Sequence, residues 1–332
     1  MGKNYTAHDE LPGDSDWEEA FAAPLSAAVP AALGGMRLDQ ALARMFPQYS
    51  RNRLQAWLKS GHVKLIGWKS GGAAAAPLAG STPVVGGERV ELTPPPPAPG
   101  VSIPPAQRIP LDVVYEDRDL IDVDKPAGLI VHPGAGNPDR TLLNALLAHA
   151  PLLRQVPRAG IVHRLDKDTS GLLVVAKNLT AQARLAAQLA SRTVRRTYLA
   201  VVHGDPPARG AIDAPVGRDS RVRTRMTVTR RGKEARTNYR VLERFGRAAL
   251  LECRLETGRT HQIRVHLQHI RYPVVGDPVY RRGTRHGLAF PRQALHAAAL
   301  ELVHPASGKR MSWSAPLPAD MAKLLAGLRR GD

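Results

Sequence analysis

The 332-residue sequence predicts an α+β fold, with a mixed, largely antiparallel sheet in its larger part and a small helix–helix–strand module ahead of it. Two observations predict it. Across residues 109–330, short apolar stretches bounded by Gly, Pro or Asp outnumber helical segments and do not alternate regularly with them. Ahead of that body, four consecutive prolines at 94–97 close off a stretch whose apolar residues recur at helical spacing.

The elements follow in order. Residues 1–35 are rich in Ala, Pro and Asp/Glu without periodicity, and read as a disordered acidic tail. The module spans 36–93. Leu38, Leu42 and Met45 mark a first helix that Pro47 ends; Ser50 opens a second, with Leu54, Trp57 and Leu58 on one face. Strands are expected at 62–66 and 88–92, with a Gly/Ala-rich insertion at 70–80. Residues 94–108 form a stiff linker. In the body, strands are expected at 113–115, 120–123, 161–165, 172–176, 198–202 and 250–255, and helices at 141–149, 180–190, 260–270 and 320–328.

Composition narrows the function classes. Cys253 alone can form neither an internal disulfide nor a cysteine-based zinc site, which fits a reducing, cytoplasmic setting. No apolar run approaches the ~18 residues of a membrane span, and no signal peptide is visible. The formal charge of +18 is uneven. Residues 1–35 hold one lysine against six acids, so the remainder carries +23. A basic body implies a polyanion partner, nucleic acid ahead of a membrane surface. Thirty-seven of the 47 basic residues are arginine, whose planar fork suits phosphate and base edges, although a genome poor in lysine codons gives the same bias.

Phosphate-loop, dinucleotide and His-Glu-x-x-His signatures are missing from the sequence. Asp166-Lys-Asp-Thr-Ser-Gly171 opens like a calcium loop but has Lys177 at its twelfth position, and His261 lies well round a helix from His266 and His269, so no metal is expected. Three segments carry chemistry. If 161–166 is extended, Arg164 and Asp166 share one face and Ile161 and Leu165 the other, next to a turn at Ser170-Gly171; alone, Asp166 is more readily a structural ion-pair or turn residue. In the 257–266 segment, Thr260 can cap a helix with Ile263, Leu267 and Ile270 as its core stripe. Arg259 and Arg264 then sit at its positive end, which calls for a nearby anion unless both are simply solvated. In the third, Tyr198 follows the basic pair Arg195 and Arg196 on a strand shared with Ala200 and Val202, as a platform for a nucleobase or a half-buried strand residue. The arginine-rich stretch 218–240 is interleaved with Met226, Val228 and Tyr239, which favours a strand or loop that grips a polyanion over a merely solvated face.

Taken together, Asp124-Lys-Pro-Ala-Gly-Leu129, Val131-His-Pro-Gly134, His163-Arg-Leu-Asp166, Thr169-Ser-Gly171, Gly258-Arg-Thr-His-Gln-Ile-Arg264 and Gly276-Asp-Pro278 resemble the RluA-type pseudouridine synthases, in that family's order and spacing. Val131-His-Pro-Gly-Ala-Gly-Asn-Pro138 and Pro157-Arg-Ala-Gly160 point to its RluD-like subgroup, which modifies large-subunit (23S) rRNA, and the N-terminal module resembles an S4 RNA-binding domain. The resemblance implies an isomerase that needs no cofactor and acts as a monomer on an rRNA or ribosomal-precursor stem-loop, away from membranes. It implies Asp166 as the catalytic aspartate, Arg264 as its basic partner and Tyr198 as the residue stacking on the target uracil. It also implies Arg164 as the arginine that displaces the flipped nucleotide, Ile263 as an apolar pocket residue, and His163 and Arg259 as further substrate contacts. Physically, a flipped nucleotide needs a basic surface and a plug, and an arginine beside the carboxylate favours the ionised form. Where this chain has Ile66-Gly-Trp68, S4-like modules often place Asn-Gly.

Overall fold

The computed structural model describes residues 25–46, 49, 51–67, 78–93, 104–134, 136–222, 225–280 and 288–331. The chain divides into two compact units between Ile103 and Pro104.

The first unit packs α1 (Leu38–Met45) and α2 (Arg51–Lys59) with an antiparallel sheet of β1 (Leu25–Ala28), β2 (Val63–Ile66) and β3 (Arg89–Leu92), in the order β1-β3-β2. Leu38, Leu42, Leu54, Leu58, Val63, Val90 and Leu92 form its core. Residues 25–35 therefore belong to this folded unit and not to the tail in which they were expected. A four-residue, alanine-rich strand is too short to register as an alternating pattern. Residues 1–24 and most of the 70–80 insertion lie outside the described residues. Asp39 is buried in α1, and burial disfavours its carboxylate. Hydrogen bonds from Arg37, Arg51 (2.8 Å) and Gln55 (2.6 Å) outweigh that penalty and hold it well below the usual carboxylate range.

The second unit is built on a nine-stranded sheet. Its strands are β4 (Asp112–Glu116), β5 (Leu120–Lys125), β6 (Ser170–Ala176), β7 (Arg195–His203), β8 (Arg209–Asp213), β11 (Arg236–Arg244), β12 (Ala248–Leu255), β13 (Leu295–Val303) and β14 (Arg310–Ser314). They run in the order β4-β5-β6-β13-β7-β12-β11-β8, with β14 paired to β13; among the described residues only the β6–β13 pair is parallel. β9 (Val216–Arg218) and β10 (Met226–Val228) form a separate ribbon. Every residue of β6 is buried because helices cover both faces. Leu173 and Val175 join the core of α3 (Leu142–His149), α5 (Gln262–His269) and α6 (Ala319–Arg330), while Leu172 and Val174 pack with α4 (Leu179–Ala190). Thr141 and Asn144 cap α3 reciprocally, and the Asn178 side chain caps α4. Residues 104–108, expected in the linker, are tied to this unit: Asn144 Nδ2 donates to the Pro105 carbonyl at 2.8 Å.

Three local expectations are corrected. Residues 161–166 are not a strand; only Ile161 bridges to Val175, after a 3₁₀ turn over Pro157–Gly160 in which Arg158 and Ala159 are left-handed. The chain thus leaves the sheet before Asp166, although Ile161 and Leu165 are buried and Arg164 is exposed, as the alternation required. Thr260 does not cap α5; His261 stands at that position with φ 57° and no side-chain cap bond. Ser170 and Gly171 begin β6 and do not make a turn. Gly171 lies against Ala297, and a Cβ there would run into the Ala297 backbone oxygen.

Lys125, fully buried at the end of β5, donates through Nζ to the carbonyls of Pro126 (2.8 Å), Leu129 (2.9 Å) and Lys167 (3.0 Å). It so ties the 126–129 turn to the loop carrying Asp166. Burial pulls its pKa down to about 8, against the pull of Asp168 and Asp166. Burial also pushes the Cys253 thiol up to about 12, leaving it a core side chain of β12. No described helix is long and apolar enough to cross a membrane.

Candidate active site

One cleft of about 420 Å³ is lined by all seven of the site residues expected from the sequence. Asp166 enters from the loop before β6, Tyr198 from β7, and Ile263 and Arg264 from the first turn of α5. Arg264 is buried and binds two carboxylates. Its Nη1 donates to Asp166 Oδ2 at 2.9 Å, while Nε and Nη2 donate to the two oxygens of Asp277 at 2.6 and 2.9 Å. Burial alone would lower its pKa, but Asp277 and then Asp166 raise it above the ordinary arginine value. An anion expected at the helix's positive end is thus present, doubled. Asp277 is itself buried and accepts the backbone N–H groups of Val279 and Tyr280, which aims it at Arg264.

The remaining positions divide. Ile263 is buried, and Tyr198 is 6% exposed, with burial raising its pKa. Arg164 is exposed at the cleft wall. His163 accepts the Val174 N–H through Nε2 at 3.1 Å, and burial with nearby Arg196 pushes its pKa down to about 3. It is a neutral ring fixed to the sheet. Arg259 donates to the Glu234 carbonyl at 3.0 Å, so no carboxylate balances it among the described residues. Gln262 is buried and locks the 257–261 loop: Oε1 accepts from Thr257 Oγ1 and Arg259 N, and Nε2 donates to Arg236 O and Thr237 Oγ1.

His261 is a cleft residue to which the sequence reading assigned no task. Met226 N–H donates to the Tyr280 hydroxyl at 3.0 Å, leaving its hydrogen for His261 Nδ1 at 2.9 Å. A neutral His261 then carries its proton on Nε2, which faces Asp166 Oδ1 at 3.8 Å. Tyr280 is fully buried, so Tyr280→Phe leaves two polar groups unsatisfied. We expect it to cost about 1–3 kcal/mol, read as a lower urea midpoint at unchanged slope; an unchanged midpoint would show the hydroxyl to be dispensable. His266 is not a ligand: its nitrogens meet Thr237 Oγ1 and the Ala214 carbonyl, both at 2.9 Å. Among the described residues, one trio could hold a metal, Asp117, Asp119 and His304; it includes no cleft residue, and each member already has hydrogen-bond partners.

The basic 218–240 stretch supplies the end of β9, β10 and part of β11. Arg236 and Arg240 pair with acids on neighbouring strands, whereas Arg221, Arg230, Arg231 and Lys233 are exposed; Arg223 lies outside the described residues.

Comparison with known proteins bears directly on the cleft. The RNA pseudouridylate synthase profile matches residues 119–269, which include Asp166, Tyr198 and Arg264. Ribosomal large subunit pseudouridine synthase D of Nitrosomonas europaea is 52% identical to the chain, over 99% of this chain and 94% of the relative. The chain belongs to the RNA pseudouridylate synthase family. Within that family it is RluA-type and RluD-like, and as a pseudouridine synthase it is an isomerase. The Pseudomonas aeruginosa synthase D is 50% identical over 92% of this chain and 96% of its own length. Among solved structures, the human RNA pseudouridylate synthase domain containing 1 protein matches with a TM-score of 0.52 and 27% identity, covering 68% of this chain and 98% of that one. An S4 domain profile matches residues 36–65, across α1, α2 and most of β2. Asp277 falls in the Gly276-Asp-Pro278 motif noted in the sequence, but nothing local to that motif reveals that its carboxylate is the second clamp on Arg264.

Proposed function

We propose that this synthase isomerises specific uridines of large-subunit rRNA, with Asp166 as the catalytic carboxylate and Arg264 as its partner. The observation that carries the reading is the Asp166–Arg264 pair beside Tyr198 in one cleft. Half-identity to relatives named for the ribosomal large subunit supports the substrate class. In the reaction the N1–C1′ bond of uridine breaks, the base turns, and C5 bonds to C1′. The C5 hydrogen is lost as a proton and N1 gains one, so composition and redox state are unchanged. Arg264, clamped by Asp277, holds Asp166 Oδ2 and leaves Oδ1 to face the substrate. Tyr198 supplies a flat face for the uracil and a hydroxyl near the proton transfers, and Arg164 fills the space the flipped nucleotide leaves. His163 and Ile263 wall the pocket, and Arg259 meets the RNA at its mouth. No cofactor is required.

Pseudouridine mapping of total RNA from cells lacking the protein tests this. The expected outcome is loss of signal at a few large-subunit rRNA uridines, restored by the wild-type gene. Loss confined to tRNA would replace the substrate, and an unchanged map would overturn the assignment.

A further inference from the structure

Arg196 lies two residues before Tyr198 on β7, on the same face of the strand. It is 8% exposed, and its Nε is buried without a hydrogen-bond partner. Among the described residues no carboxylate pairs with it. Its basic neighbours differ: Arg192 pairs with Glu234, Arg195 with Glu301 and Arg254 with Glu252. The one carboxylate lining the cleft, Asp166, is bound to Arg264. Arg196 lines both the cleft and the adjoining groove of about 340 Å³, whose two glutamates, Glu256 and Glu301, pair with Arg236 and Arg195, and so stands where the two meet. The backbone makes room for it: a Cβ on Gly258 would come within 2.6 Å of Arg196 Nη1.

A permanently charged guanidinium buried without a counter-charge is costly, and the cost is recovered only when an anion arrives. Uracil is neutral and cannot supply that charge; a phosphodiester can, with oxygens that match the planar fork. We propose that Arg196 binds a backbone phosphate of the RNA next to the target uridine, anchoring the strand as its base enters the cleft beside Tyr198. This rests on the RNA-modifying reading above. Two strand residues span about 6–7 Å, so stacking at Tyr198 and phosphate binding at Arg196 suit the base and backbone of one short segment.

The test uses the full-length protein and a synthetic RNA hairpin carrying a uridine identified by the mapping. Arg196→Met should weaken binding at least tenfold and make the slope of log K against log salt shallower by about one. Arg196→Lys should restore the slope. Neutral methylphosphonate linkages, placed singly around the target uridine, should reproduce the loss at one linkage in the wild-type protein and add nothing there in Arg196→Met. An unchanged salt slope, or losses that multiply at every linkage, would overturn the phosphate site. If Arg196→Met does not fold, Gly258→Ala displaces Nη1 while keeping the charge, and the same linkage comparison decides. Failure of the wild-type enzyme to modify the hairpin would instead overturn the functional reading.

Discussion

Asp166→Asn is expected to reduce pseudouridine formation by at least ~10³-fold, the scale on which loss of a reacting carboxylate is felt. Asparagine has the same shape but neither negative charge nor basicity. Arg264 keeps its bidentate pair with Asp277 at 2.6 and 2.9 Å, so the helix start and the cleft wall stay in place. The variant should therefore melt within a few degrees of the wild type and bind the target hairpin with similar affinity. Single-turnover assays read with thermal melting separate the two effects. Retained turnover would remove Asp166 from the chemistry. Lost turnover with a large drop in melting temperature would make it a structural residue.

The second large effect concerns stability. Asp122 on β5 is fully buried, and neither carboxylate oxygen has a partner. Burial, reinforced by Asp124, pushes its pKa up to about 7. An unfolded aspartate titrates near 3.9. Between about pH 4 and 7 the folded state therefore holds this proton more tightly than the unfolded chain, and stability falls as pH rises through that window. Above it the penalty is complete, of order 2–4 kcal/mol. Asp122→Asn removes the titration. Its unfolding free energy relative to wild type should be higher at pH 8 than at pH 5 by more than half of that penalty, part of which has already accrued at pH 5, measured by urea titration at both values. The comparison cancels the carboxylates whose native pKa is depressed, such as Asp39, Asp117 and Asp320. An equal difference at both pH values would show that Asp122 stays ionised in the fold.

Much of the site was legible because its chemistry sits in short segments with local signatures. An arginine in the first turn of α5 demanded an anion, and Asp166 and Asp277 meet that demand. Arg164 and Asp166 were legible as solvent-side residues of an otherwise apolar segment even though that segment is not a strand. What stayed hidden depends on tertiary context. β13, Leu-His-Ala-Ala-Ala-Leu-Glu-Leu-Val, has the composition of a helix, yet lies extended between β6 and β7, where burial on the sheet overrides propensity. Asp277 lies thirteen residues beyond Arg264, and Tyr280 acts through His261; neither partnership leaves a periodic mark. Asp122 sits as the one acid in the apolar stretch 120–123, and nothing local to that stretch shows that its carboxylate is left without a cation.

The lone parallel pair of the sheet has a consequence for how the enzyme is made. β4, β5 and β6 form one consecutive antiparallel run that brings Asp166; β7, β8, β11 and β12 form another that brings Tyr198 and leads into Arg264. The strand that joins the two runs is β13, at residues 295–303. On a growing chain, every member of the catalytic set has been synthesised thirty residues before the element that sets them in register. Joining the two runs through β13 is a long-range pairing, of the kind that slows folding. The catalytic set is therefore held in register only once the chain has been made as far as residue 303.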